Sequence, residues 1–199
     1  TNFINQIIPN QQFLVGGFSY GGYIAQGMLM QNPDNIDGVM LMAPVVSPAD
    51  VDRNLPEGMV FETDPDAIAL LPPEVAPMIL RNVSVRTKPV IERIVNDYLP
   101  SFAQADMEFL GQLRQPENYT LSVDVLDSEF LYEKPSLILT GKHDASVGFA
   151  EAFALSIKYS RATYAALDRA GHGVYLEQDS LFKALVHEWL DRVEEFTQA

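Results

Sequence analysis

The stretch that decides the fold runs from Gln12 to Gly22 and reads Gln-Phe-Leu-Val-Gly-Gly-Phe-Ser-Tyr-Gly-Gly. It begins as a short apolar run, typical of a buried strand, and then becomes rich in glycine, typical of a sharp turn. Residues Tyr20–Gln31 follow with a helical pattern that Asn32 and Pro33 end. Ile36–Ala43 is again almost entirely apolar, as in a strand covered on both faces. The sequence therefore predicts a strand, a helix and a second strand.

The same alternation returns near the end of the chain. Strands are predicted at Pro135–Thr140 and Ala162–Leu167, with helices over Phe149–Tyr159 and about Ser180–Phe196. Strands separated by helices indicate a mostly parallel sheet with flanking helices, an α/β fold. The proline-rich stretch between the two halves cannot supply central strands and is predicted to be a helical insertion, with one continuous helix over Phe102–Leu113. We expect core residues at 1–46 and 130–199, and a helical cap at 47–129.

The pattern Gly17-Phe18-Ser19-Tyr20-Gly21 joins the first strand to the first helix. This G-x-S-x-G arrangement lets a serine occupy a strained turn, because the residues two before and two after it lack bulky side chains. The serine hydroxyl is then exposed at the end of the sheet. The backbone N–H of Tyr20 begins the helix and is predicted to stabilise an oxyanion.

A serine becomes a strong nucleophile only beside a positioned base, which a carboxylate usually orients. Asp144 follows the strand at Pro135–Thr140, and His172 follows the strand at Ala162–Leu167. Both therefore lie at the edge of the sheet where Ser19 is expected, since the carboxyl ends of parallel strands lie at the same edge. The chain order Ser, Asp, His also fits this motif. The sequence predicts Ser19 as nucleophile, His172 as base and Asp144 as orienting acid.

Other polar residues offer alternatives. Asp50 follows the second strand and could replace Asp144 as the acid, although the tight strand-to-Gly-to-Asp arrangement favours Asp144. His143 is expected to be exposed or to support the site from beside Asp144, and His187 lies on the polar stripe of the last helix. Glu177 is expected to have a structural role near the start of that helix. Four acidic residues could bind a substrate amine but are better explained as a solvated loop: Glu57, Glu62, Asp64 and Asp66.

Composition excludes several classes of function. The formal charge of −14, from 13 basic and 27 acidic residues, argues against nucleic-acid and anionic membrane partners. Without cysteine there are no disulfides, thiolate nucleophiles or Cys-ligated metals, and three histidines without HExxH argue against a His-rich metal site. No apolar run approaches the roughly 18 residues of a membrane span. We expect a cytoplasmic protein that acts on a small-molecule substrate.

Over essentially its whole length the chain resembles the α/β-hydrolase superfamily. Residues 16–27 are similar to its nucleophile elbow and following helix, residues 139–148 to its acid loop and residues 170–178 to its histidine loop, and the insertion is similar to the cap after the sixth strand. The resemblance implies an α/β-hydrolase fold and assigns Ser19, Asp144 and His172 the catalytic roles, with no metal or organic cofactor.

The beginning of the chain departs from that family. Four strands normally precede the elbow strand, and the loop after the third supplies a second oxyanion N–H, yet only 18 residues precede Ser19. We expect a C-terminal part of a longer hydrolase that lacks roughly 70 to 90 residues. The strand at Phe13–Val15 should then have an open edge that pairs with another copy or with a second chain.

The expected reaction is acyl transfer to water from a small ester, amide or lactone, most simply as a carboxylesterase. The second alternative is a prolyl-aminopeptidase-like peptidase, and the third is a non-catalytic hydrolase-like binding protein. In each case we expect this chain alone to be incomplete. The aromatic residues of the insertion favour a substrate with a small apolar acyl or alcohol group. They include Phe61, Tyr98, Phe102 and Phe109.

Overall fold

A computed structural model describes residues 2–122, 125–126 and 128–198, apart from the side chains of Asn5 and Asp50. The first part of the chain forms the strand, helix and strand that the sequence predicts, after one short helix. Its elements are α1 (Asn2–Ile7), β1 (Phe13–Phe18), α2 (Tyr20–Gln31) and β2 (Ile36–Met42).

The inserted segment, defined here as residues 47–122, is built from short helices and one small sheet. A 3₁₀ turn at Asp50–Asp52 comes first, and a π-helical turn at Ile94–Tyr98 connects α5 to α6. The other elements are β3 (Glu62–Thr63), α3 (Pro65–Ile68), α4 (Ala76–Arg81), β4 (Val85–Arg86), α5 (Lys88–Arg93), α6 (Leu99–Ala103), α7 (Met107–Leu113) and α8 (Pro116–Tyr119).

Two features of this segment differ from the sequence expectation. Strands β3 and β4 pair in parallel as a separate two-stranded sheet, which the sequence did not predict. The prediction of one continuous helix over Phe102–Leu113 is wrong, because α6 ends at Ala103 and α7 begins at Met107. The carboxylate of Asp106 accepts a hydrogen bond from the N–H of Phe109 (2.9 Å) and thereby starts a new helix. The domain boundaries at 46/47 and 129/130 stay a prediction.

The last part of the chain returns to strands and helices. It contains β5 (Ser136–Gly141), α9 (Ala150–Ser156), β6 (Ala162–Leu167), α10 (Val174–Glu177) and α11 (Asp179–Gln198). The last helix is slightly longer than predicted. None of the described helices has the length and apolar character needed to cross a membrane.

The four long strands form one parallel sheet in the order β1-β2-β5-β6. Strand β1 is at its edge among the described residues, as the sequence predicts. All six residues of β5 are buried, because helices cover both faces of the sheet at this strand. The parallel direction brings the carboxyl ends of the strands to one edge, where the loops after β1, β5 and β6 meet.

Helices on the two faces make two separate cores. Ile138 of β5 packs with residues of α2 and α9, whereas its neighbours Leu137 and Leu139 pack with Trp189 and Val193 of α11. This alternation follows from the two-residue period of a strand. The inserted segment has its own core around Ile91 and Ile94, which also includes Leu176 of α10. The inserted segment thus packs directly beside the loop that follows β6.

Candidate active site

Ser19 connects β1 to α2 in a backbone conformation that non-glycine residues rarely adopt, with φ 55° and ψ −120°. Hydrogen bonds on both sides hold it there. The Ser19 N–H donates to the carbonyl of Met42 (2.9 Å), and its carbonyl accepts from the N–H groups of Gly22 and Val45 (both 3.0 Å). The strained turn is therefore fixed by α2 and by the loop after β2.

The glycines around Ser19 are not equally required. A Cβ on Gly17 would lie 2.3 Å from the carbonyl oxygen of Gly21, and one on Gly22 would lie 2.8 Å from the Cβ of Pro44. A Cβ on Gly21, in contrast, would meet nothing within 4 Å. The closest steric contacts of the turn are therefore at Gly17 and Gly22, whereas the space at Gly21 admits at least a methyl group.

The loops after β5 and β6 bring two further side chains to Ser19. The Nε2 atom of His172 lies 3.0 Å from the Ser19 hydroxyl oxygen, and its Nδ1 atom lies 2.8 Å from Oδ2 of Asp144. The chain of contacts is thus hydroxyl, imidazole, carboxylate. A neutral imidazole in this position can accept the serine proton while the carboxylate fixes the ring orientation.

Asp144 is completely buried, and both of its oxygens have partners. Oδ1 accepts the N–H groups of Ser146 (2.8 Å) and Val147 (3.0 Å), and Oδ2 faces His172. Its own loop therefore holds the carboxylate toward the imidazole. The side chain of Asp50, the alternative acid, lies outside the described residues, and its backbone belongs to the 3₁₀ turn of the inserted segment.

The ring of His172 packs against Phe18, with ring centroids 4.8 Å apart, and its side chain is 15% exposed. Phe18 in turn makes an edge contact with Tyr175. The His172 N–H donates to the carbonyl of Asn82 in the inserted segment (2.9 Å). Sequence reasoning did not identify Phe18 or Asn82 as neighbours of the histidine. The position of Phe18 directly before the serine could have suggested the first contact, but no signal pointed to Asn82.

Glu177 is a second carboxylate close to the histidine loop. It accepts N–H groups from Ser84 (2.5 Å) and Val85 (2.8 Å) on Oε1 and from Gly171 (2.8 Å) on Oε2. Burial raises the pKa of Glu177, while these hydrogen bonds favour the ionised form and the charge of Asp144 opposes it. Glu177 thus has a structural role, because its carboxylate connects the inserted segment to the histidine loop.

Tyr20 is the first residue of α2, so its N–H has no acceptor within that helix. Its ring stacks on Tyr119 of the inserted segment, with centroids 4.0 Å apart, and its hydroxyl donates to the Tyr119 carbonyl (3.1 Å). Burial raises the pKa of the Tyr20 hydroxyl. The side chain is thus held away as a packing group, and the backbone N–H is the group available for an anion beside Ser19.

The remaining polar candidates lie outside this constellation. His143 pairs with Asp168 (3.3 Å), and His187 is exposed on α11. Within the acidic cluster, the carboxylate of Glu62 pairs with Arg169 (3.1 Å), and that of Asp64 caps α3. Among the residues that the structure describes, no three His, Asp or Glu side chains are grouped to hold a metal ion.

A pocket of about 90 Å³ adjoins His172. Phe18, the histidine loop and α10 border it on one side, and the inserted segment contributes the opposite wall. Tyr98, at the end of the π-helical turn, is the one member of the predicted aromatic set that lines it; Phe109 is 58% exposed. The side chains contributed by the inserted segment are Met78, Ile79, Asn82, Val83, Ile94 and Tyr98.

Comparisons with known proteins agree with this architecture. The family model described as "Serine aminopeptidase, S33" matches residues 1–179. No protein of curated function matches the chain.

Solved structures of α/β hydrolases match nearly the whole chain. An alpha/beta superfamily hydrolase from Oenococcus oeni PSU-1 is 23% identical with a TM-score of 0.86, and the match covers 97% of this chain and 71% of that one. A thermophilic esterase from Thermogutta terrifontis is 22% identical with a TM-score of 0.54, covering 96% and 69%. The 2-hydroxy-6-oxo-6-phenylhexa-2,4-dienoate hydrolase from Rhodococcus sp. strain RHA1 is 19% identical with a TM-score of 0.60, covering 91% and 64%. These likenesses show the fold.

Proposed function

Because the chain belongs to the serine aminopeptidase S33 family of α/β hydrolases, we propose that it is a serine hydrolase that cleaves a small ester through an acyl-enzyme on Ser19. One observation carries this proposal: the imidazole of His172 lies within hydrogen-bond distance of both the Ser19 hydroxyl and the Asp144 carboxylate. No other described group is so placed to activate Ser19.

The proposed reaction has two halves. The Ser19 oxygen attacks the ester carbonyl while His172 accepts its proton, and the imidazolium then protonates the departing alcohol. Water attacks the acyl-enzyme as His172 takes one of its protons, and that proton returns to Ser19 when the acid is released. The Tyr20 N–H stabilises the oxyanion in both halves.

The pocket beside His172 supports a substrate with a small apolar group. Its lining is mostly aliphatic and aromatic, and its volume of about 90 Å³ suits an acyl or alcohol chain of a few carbons. The inserted segment supplies more than half of the lining side chains, so we propose that it acts as a cap that sets specificity. Burial raises the pKa of Tyr98, so its hydroxyl is neutral there and can donate a hydrogen bond.

The second candidate function is an aminopeptidase, which the name of the family favours. Such an enzyme would need an anionic group to bind the amine of its substrate. The residues that line the pocket include no carboxylate, and Glu62 and Asp64 have other partners. These observations support an ester over an aminoacyl amide. The charge of −14 disfavours a polyanionic substrate and so supports a small molecule. The absence of cysteine is compatible with the cytoplasmic location that we propose.

Labelling with a fluorophosphonate tests the proposal. The probe should modify wild-type Ser19, the Ser19→Ala variant should give no adduct, and His172→Ala should label at least about a hundredfold more slowly because the base is gone. Ser180→Ala, at an exposed serine of α11, is the matched control and should label like wild type. Failure of the wild type to react would favour a hydrolase-like binding protein. Turnover of short acyl esters and aminoacyl amides by the wild type then separates an esterase from a peptidase.

A further inference from the structure

We propose that Glu177 is a positioning residue, whose carboxylate fixes the backbone of the histidine loop against the inserted segment. The role rests on the proposed function, because it concerns the geometry of His172 during catalysis. Glu177 touches neither Ser19 nor the His172 ring in the hydrogen-bond network of the site, so it acts through backbone groups.

The contacts of Glu177 join two distant parts of the chain. One carboxylate oxygen accepts the N–H groups of Ser84 and Val85, at the start of β4, and the other accepts the N–H of Gly171, directly before the histidine. Glu177 itself ends α10, the helix that follows the histidine loop. The loop is therefore tied at its beginning to its own following helix and, through the same side chain, to the inserted segment.

Asn82 adds a second connection at the same place. Its carbonyl accepts the His172 N–H (2.9 Å), and a Cβ on Gly171 would lie 2.6 Å from that carbonyl oxygen, so the two backbones are in close contact. Its side-chain oxygen accepts the hydroxyl of Ser146, whose own N–H holds Asp144. Asn82 also lines the pocket. One short segment of the insertion thus contacts the acid loop, the histidine loop and the substrate space.

Only an ionised carboxylate satisfies all three N–H donors, because both of its oxygens accept and neither carries a hydrogen. A glutamine at this position offers one oxygen, so at least one N–H group would face its amide NH₂. An unpaired buried donor is costly, and the loop would move to relieve it. A shift of the Gly171 backbone carries His172 with it and disturbs the 3.0 Å approach of Nε2 to Ser19.

Glu177→Gln tests this role, with Glu195→Gln on the exposed face of α11 as the matched control for loss of one charge. Active sites are counted by fluorophosphonate titration, and kcat per titrated site and KM are measured on a short-chain ester. We expect kcat per site to fall about tenfold to a hundredfold in Glu177→Gln, with KM within about twofold, and no change in the control. A role in stability alone would lower the unfolding temperature and leave kcat per folded site unchanged.

Gly171→Ala supplies an independent variant if Glu177→Gln does not fold. It keeps the carboxylate but pushes the histidine loop from the Asn82 carbonyl, and we expect the same fall in kcat per site. Wild-type kcat per site in either folded variant would overturn the positioning role while leaving the proposed function intact. A wild-type protein that neither reacts at Ser19 nor turns over esters would instead remove the proposed function, and this role with it.

Discussion

At the scale of single residues, Ser19 is held in its strained conformation by very close backbone packing. The closest approach is at Gly17, where even a methyl group would overlap the carbonyl of Gly21. The strain is thus maintained by contacts on both sides of the turn, and the hydroxyl is directed toward His172.

Gly17→Ala should therefore disrupt the turn. We expect a loss of about 1–3 kcal/mol in the free energy of unfolding, because the Cβ forces strand and helix apart, together with loss of Ser19 labelling. Urea denaturation and fluorophosphonate labelling measure the two effects. Gly21→Ala is the matched control and should be neutral or slightly stabilising, since its Cβ meets open space in a helix. Equal stability of the two variants would contradict this account.

The three principal side chains of the site could be predicted from the sequence because each follows a strand with a recognisable apolar run. Their supporting residues could not. The contacts of Asn82 with His172 and of Glu177 with Ser84 each join residues about 90 positions apart in the chain, and no local pattern indicates such contacts. The motif predicted small residues on both sides of Ser19. It could not show that the tight contacts are at Gly17 and Gly22, because these depend on how β1, α2 and the loop after β2 pack together.

At the scale of elements, ion pairs connect the inserted segment to the last helix. Asp179, at the start of α11, pairs with Arg93 of α5 (2.9 Å) and with Lys183 one turn further along α11 (2.7 Å). The hydrogen bond from Lys183 contributes most to lowering the pKa of Asp179, with its charge and Arg93 adding to the shift. The inserted segment is thus connected to the core by residues that do not line the pocket themselves.

The pH dependence of stability should report this connection. A carboxyl whose pKa is lower in the folded state stabilises the fold above its ordinary pKa of 3.8, and that contribution is lost as the pH falls through the lowered value. We expect Asp179→Asn to be less stable than wild type at pH 7 by a small amount, typical of an exposed pair, and the difference to vanish in strong acid. Urea titrations across pH measure this. Asp191→Asn, also exposed on α11, is the control; a difference that persists in acid would rule out the ion pairs as its cause.

Helices and strands could be predicted from the sequence where an apolar run or a helical pattern extends over several residues. The α2 range and the β6 range match their predicted bounds, and Asn32 and Pro33 mark the end of α2. Strands β3 and β4 have two residues each, too few to show a period of two. The break between α6 and α7 depends on Asp106 acting as a cap, which overrides the apolar spacing across it.

At the scale of the whole molecule, β1 is the edge strand of the sheet that the described residues form. The N–H of Phe13 points toward β2, where it donates to the Asn35 carbonyl, and the Ser19 N–H does the same to Met42. By strand alternation, the N–H and C=O groups of Leu14, Gly16 and Phe18 point to the other side. We propose that these groups pair with a strand of a second copy.

Association should then depend on the outward N–H of Gly16. We expect sedimentation velocity to show wild-type dimers that increase with protein concentration, and Gly16→Pro to remain monomeric because proline removes the donor. Gly16→Ala is the matched control and should associate like wild type, since its Cβ makes only an ordinary contact with Met40. A wild-type protein that stays monomeric at all concentrations, or a proline variant that still dimerises, would refute edge pairing.

The most direct test of the central claim is to trap the acyl-enzyme itself. Wild-type protein mixed with p-nitrophenyl butyrate and quenched in acid within the first turnover should gain the mass of one butyryl group, and fragmentation should locate it on Ser19. Release of p-nitrophenol should show a burst of about one equivalent per active site, provided that deacylation is slower than acylation. Hydrolysis of the ester by the wild-type protein with the butyryl group on another residue, or undiminished hydrolysis by Ser19→Ala, would contradict the account.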